Sequence, residues 1–138
     1  MASKQVYAIL AMMVAVLPAT TLAKVFVVGD EHGWTINFDY KLWAADKDFW
    51  VGAKLVFHDP VGVHSVFKVN GTAFQECIKP PPSEALICGN DIITLLTRGL
   101  KWYFCGVGKH SEVGSQKLAI SVQSISRAPA PAPSPFGA

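Results

Sequence analysis

Apolar residues fall into three regimes along the chain. Val6 to Leu17 is an unbroken apolar run, closed by Pro18. From Lys24 to Ile125 the apolar positions come as short β-branched and aromatic runs, separated by Gly, Pro and Asn. From Ser126 onward, "SRAPAPAPSPFGA" has no apolar period. Within the middle regime, "KVFVVG" (24–29) reads as a strand that stops at a glycine. "AKLVFH" (53–58) and "HSVFKV" (64–69) flank a Pro/Gly turn, and Asn70-Gly71 signals a tight turn after them. "DIITLLT" (91–97) and "KWYFC" (101–105) flank Arg98-Gly99 as a hairpin. "QKLAISVQSI" (116–125) alternates strictly, with Leu118, Ile120 and Val122 on one face and Lys117, Ala119 and Ser121 on the other. Only "DYKLWAADKDFW" (39–50) has helical spacing, and it predicts a short helix or turn. Strands of this length and spacing predict an all-β sandwich or barrel.

The outer regimes set the domain boundaries. Lys4, the apolar run and Thr21-Leu22-Ala23 follow the order of a secretory signal peptide, and the run is shorter than the roughly 20 residues a membrane span needs. The expected organisation is a leader over 1–23, one domain over 24–124 and an extended Pro/Ala-rich tail over 125–138. The tail lacks the apolar segment of a lipid-anchor signal. About 100 residues remain for one hydrophobic core. The formal net charge is +2, lysines are scattered, and no basic run points to nucleic acid. A secreted monomer without a membrane anchor is expected. Asn70-Gly71-Thr72 is an N-glycosylation sequon.

Three cysteines, Cys77, Cys88 and Cys105, enter an oxidising compartment, so at least one thiol lies outside any internal disulfide. Four histidines are present, and none pairs at zinc-protease spacing. There is no Gly-x-Ser-x-Gly elbow and no phosphate loop. Cys105, however, closes a strand, and His110 follows after a glycine-rich loop that lets both side chains reach one point. Gln116 heads the next strand. His64 begins a strand beyond the "DPVGV" turn, with His58 as its rival. Gathered at one pole of a sandwich, these residues give one thiolate, two imidazoles and a weak amide oxygen. That is the donor set of a blue-copper electron-transfer centre. No general acid, base or substrate cleft indicates an enzyme.

"VFVVGDEHGWT", "DYKLWAADKDFWVGAKLVFHDPVGVHSVFKVN", "GNDIITL" and "WYFCGVGKHSEVGSQKLAISV" resemble the phytocyanins, plant cupredoxins. The resemblance covers nearly all of 24–124. It implies a Greek-key β-sandwich with one or two short helices, and one type 1 copper that carries single electrons. It places the ligands at His64, Cys105, His110 and, as a stellacyanin-type axial donor, Gln116. The leader and the Pro-rich tail also match, which implies an extracellular protein. Three departures stand out. Ser65 replaces the usual Asn, and Ser111 replaces the usual Cys that would bond to Cys77. Gln116 lies one residue further from His110 than is common, which makes Ser115 a rival for the axial place. With Ser111 there, Cys77 and Cys88 are expected to remain unbridged. The competing function is an extracellular interaction module of the same fold without working copper, and the intact His-Cys-His set argues against it.

Overall fold

The computed structural model describes residues 23–124. The expected leader and tail lie outside these residues, apart from Ala23. Among the described residues seven strands form two sheets: β1 (Val25–Val27), β2 (Phe49–Trp50), β3 (Lys54–His58), β4 (Phe67–Val69), β5 (Asn90–Thr94), β6 (Gly99–Phe104) and β7 (Lys117–Gln123). One sheet has the order β1-β3-β5, with β1 parallel and β5 antiparallel to β3. The other has the order β2-β7-β6-β4, with β2 parallel to β7 and the remaining pairs antiparallel. This is the all-β sandwich that the alternation predicts.

The core fills the space between the sheets. β3 contributes Leu55 and Phe57, and β5 contributes Ile93. From the opposite sheet come Tyr103, Leu118, Ile120 and Val122, so the predicted inward face of β7 is the buried one. Each such side chain adds about 1.5–3 kcal/mol by leaving water. Helix α1 (Tyr40–Ala45) lies in the stretch where helical spacing appears. Asp39 caps it by accepting the N–H of Leu42, and the helix buries Tyr40 and Trp43. Trp34 stands at the centre of an aromatic cluster, 4.9 Å from both Tyr40 and Phe57 by ring centroid.

Several expectations need correction. Asn70-Gly71 does not end in a tight turn. It opens a second helix, α2 (Gly71–Glu76), because the Asn70 side chain accepts the N–H of Ala73 at 2.8 Å. The strand expected from His64 begins only at Phe67, after a single bridge between Val66 and Leu86. Gln116 lies just before β7 rather than within it.

Two connections position the site. The loop from β3 to β4 carries His64, and the loop from β6 to β7 carries Cys105, His110 and Gln116. They meet because β4 and β6 are paired neighbours, with Phe67 opposite Phe104.

Candidate metal centre

Cys105 follows β6 directly and is fully buried, and its backbone N–H donates to the carbonyl of Gln116. Gly106 comes next, where a Cβ would fall 2.1 Å from the Phe67 ring, so only glycine fits. The chain then turns back. His110 N–H donates to the Val107 carbonyl, and Gln116 N–H donates to the carbonyl of His110. Gly114 is also required, since a Cβ there would meet the His110 carbonyl oxygen at 2.6 Å. Gly106 and the left-handed Gly108 (φ 48°) let the chain bring His110 back toward Cys105, and Gly114 lets the next segment pass close to the His110 carbonyl.

The loop from β3 delivers His64 to the same point. Its Nδ1 lies 3.1 Å from Nδ1 of His110 and 4.0 Å from Sγ of Cys105, and the Cys105–His110 separation is 3.5 Å. A point equidistant from the three atoms lies about 2.1 Å from each, the circumradius of that triangle. Bonds from zinc, a first-row ion, to imidazole nitrogen and thiolate sulfur run roughly 2.0–2.3 Å. The three atoms are therefore close enough together for one such ion to reach all of them, and among the described residues they are the one such group of His, Cys, Asp or Glu side chains.

The surroundings prepare each donor. Cys105 Sγ accepts N–H groups from Ser65 and Val107, each at 3.4 Å, which stabilises negative charge on sulfur. Burial lowers the pKa of His64, and the neighbouring His110 lowers it further, against a hydrogen bond that the Gln116 side chain accepts from the ring. The neutral imidazole, the form that binds metal, is thereby favoured. Ser65 also uses its hydroxyl, which accepts the N–H of Gly106 at 2.9 Å and so ties the two ligand loops together.

Gln116 is fully buried beside His64, whereas Ser115 is exposed with a left-handed backbone (φ 58°). One polar atom of the Gln116 amide lies 3.0 Å from His64 Nδ1, and the other lies near the N–H groups of Trp34 and Thr35 at 3.2 and 3.3 Å. With nitrogen toward His64, the amide donates to Nδ1 and its oxygen accepts from Trp34 and Thr35. With oxygen toward His64, it faces an acceptor and needs a proton or cation between them.

His58 ends β3 with its side chain exposed, outside the cluster, and its carbonyl accepts the Trp34 N–H. His32 stacks on Phe38 at 4.9 Å, also outside it. The role of Ser65 was missed in the sequence because nothing local marks a serine that bridges two distant loops. Cys77 and Cys88 are unpaired. Cys77 and Ser111 line one groove of about 910 Å³ between the start of α1 and the end of α2. The Ser111 hydroxyl is buried without a partner.

A family model described as "Plastocyanin-like domain" matches residues 34–115. "Blue copper protein 1a" of Medicago truncatula is 50% identical over 135 residues, covering 98% of this chain and 83% of that protein. "Stellacyanin" of Toxicodendron vernicifluum is 39% identical over 104 residues, covering 71% of this chain and 95% of that protein. Among solved structures, cucumber stellacyanin with Cu²⁺ superposes with a TM-score of 0.71 at 31% identity, over 77% of this chain and all of the other.

Proposed function

The chain belongs to the phytocyanins, within the plastocyanin-like family, and from that premise we propose that it is a secreted carrier of single electrons, with one type 1 copper held by His64, Cys105 and His110 and the amide oxygen of Gln116 as axial donor. The observation that carries this reading is the triangle of Nδ1, Nδ1 and Sγ atoms, whose size suits one first-row metal. Thiolate with two imidazoles and a weak axial donor is the blue-copper set.

Bound copper supplies a one-electron Cu(II)/Cu(I) couple, and the protein supplies the rest. Cys105 contributes a thiolate held by two N–H groups. Ser65 fixes the distance between the ligand loops through Gly106. Gln116, buried against Trp34, keeps its amide beside His64. The two sheets hold these groups still, so the donors need not rearrange when charge changes. Of the three candidate ligands, His64 and Cys105 are buried and His110 is partly exposed. The electron's route to a partner therefore runs through the His110 imidazole.

The leader over 1–23 would direct the chain out of the cell, and no helix among the described residues is long and apolar enough to cross a membrane. Copper titration of the domain, read by visible and electron-paramagnetic spectra, tests the proposal. One equivalent should develop an intense blue band and a narrow parallel hyperfine splitting. A pale, tetragonal Cu(II) spectrum, or no binding, overturns it.

A further inference from the structure

The outer face of the four-stranded sheet carries an uncharged strip that begins beside the first residue of α2, Gly71, and runs out from there to Leu100. Trp102 stands opposite Ala119, and Leu100 opposite Ser121, so these four share one face of the β6–β7 pair. Leu100 is 61% exposed, Ala119 and Ser121 are exposed, and Trp102 is half-buried. The opposite face of the same strands holds the core residues Tyr103, Ile120 and Leu118. The exposed part of the strip, Leu100 and the free edge of Trp102, is apolar surface that a covering group would remove from water.

One end of the strip touches Asn70. The Trp102 ring lies so close to Gly71 that a Cβ there would meet its Cζ2 at 3.1 Å, and a groove of about 310 Å³ runs from Asn70 past Trp102 to Leu100, with Lys68 and Lys101 also on its lining. The Asn70 Oδ1 is engaged, accepting the N–H of Ala73. That bond fixes the side chain and leaves Nδ2 as its free atom. Asn70 and Thr72 are both exposed, and they are the two defining residues of the sequon.

We propose that Asn70 carries an N-linked glycan whose first sugar lies in this groove and covers Trp102 and Leu100. The inference rests on the reading that the chain is secreted. In the attachment, Asn70 Nδ2 loses one proton and bonds to the anomeric carbon of a lipid-linked oligosaccharide, whose pyrophosphate leaves. No electrons are exchanged. The helix cap survives, because Oδ1 is not used. The apolar face of a pyranose against the indole then removes the strip from water, and the bulky glycan screens the sheet's outer surface.

The full chain expressed in a eukaryotic secretory host tests this. Three forms are compared: wild type, wild type trimmed by an endoglycosidase to one sugar, and Thr72→Ala, which destroys the sequon but keeps the Asn70 cap. Peptide mass reads the modification, and the indole N–H resonance of Trp102, assigned with Trp102→Phe, reads the packing. The wild-type Asn70 peptide should carry a glycan. Its Trp102 resonance should be displaced from that of Thr72→Ala, and one sugar should suffice to keep it displaced. A chain retained inside the cells overturns the secretory reading and the glycan with it. A secreted chain with unmodified Asn70 overturns the glycan alone. A glycosylated chain whose Trp102 resonance matches that of Thr72→Ala overturns the packing.

Discussion

Ser65 and Cys105 are joined twice, once by the Ser65 N–H donating to Sγ at 3.4 Å and once through the Ser65 hydroxyl, which accepts the N–H of the next residue, Gly106, at 2.9 Å. The first bond belongs to the backbone and survives any substitution short of proline. The second belongs to the side chain. Ser65→Ala should therefore keep copper binding but lower stability by about 1 kcal/mol, the net worth of one buried hydrogen bond plus an orphaned N–H. It should also speed the loss of copper to a chelator, because the ligand loops are no longer tied. Thermal melting and chelator kinetics read both effects. A variant indistinguishable from wild type in each would remove Ser65 from the account.

The ligand assignment makes a sharper demand. His64→Ala, Cys105→Ala and His110→Ala should each abolish the blue band, and His58→Ala should leave it intact. The two histidines are only six positions apart, yet His58 is the exposed last residue of β3 and His64, in the loop that follows, belongs to the cluster. Bleaching by His58→Ala with colour retained in His64→Ala would reverse the assignment.

Much of this arrangement is legible in the sequence, and the illegible parts have physical causes. The alternation of β7 reads directly as an inward and an outward face, since a half-buried strand has period two. Cys105 and His110 can be paired because the glycines between them allow a return: a Cβ on Gly106 would strike the Phe67 ring, and Gly108 takes a left-handed backbone (φ 48°). His64 could not be separated from His58 by pattern alone, as both stand near strand ends. Helix α2 hid behind Asn70-Gly71, a pair that suits a turn and a helix start equally. The two-residue β2 is too short to carry a period at all. Ser65 and Gly106 are 41 residues apart in sequence, so their bond exists only through the pairing of β4 and β6.

Asp59 gives the fold a pH dependence. Burial raises its pKa from 3.8 to about 6, and the charge of Asp91 adds to this, against His58 and the His64 N–H. Buried oxygens of both carboxyls, Asp59 Oδ1 and Asp91 Oδ2, lack partners. Between pH 3.8 and about 6 the folded chain keeps a proton that the unfolded chain has lost. This group's contribution to stability therefore falls as pH rises through that window and stays low above it. Asp59→Asn should raise the stability of the metal-free protein at pH 7 by about 1 kcal/mol, given the solvent that reaches the site. The two proteins should converge near pH 4. Melting curves across this range check the claim, and a constant difference at all pH values contradicts it.

Gln116→Met tests the axial position. Thioether sulfur is softer than an amide oxygen and favours Cu(I). The reduction potential should rise, while Ser115→Ala, an exposed change, should leave it where it was. Voltammetry compares the three. A potential unmoved by Gln116→Met but shifted by Ser115→Ala would transfer the axial role to Ser115.

Ser111 stands where the resemblance to the family expects a cysteine, and its buried hydroxyl has no partner. An unpaired buried hydroxyl costs about 1–3 kcal/mol. Ser111→Ala should therefore raise the melting temperature slightly by removing it. Ser111→Cys removes the same hydroxyl and adds a thiol on the groove that Cys77 also lines. A disulfide from Cys77 to this introduced thiol would close a loop of about 35 residues, worth roughly 3–4 kcal/mol in the chain-entropy account, less any strain. The oxidised Ser111→Cys protein should melt above Ser111→Ala, and reductant should erase the difference. Peptide mapping without reductant should find position 77 linked to position 111, with Cys88 free. If the two variants melt together under oxidising conditions and no linked peptide appears, the bridge does not form, and the gain over wild type belongs to the lost hydroxyl alone.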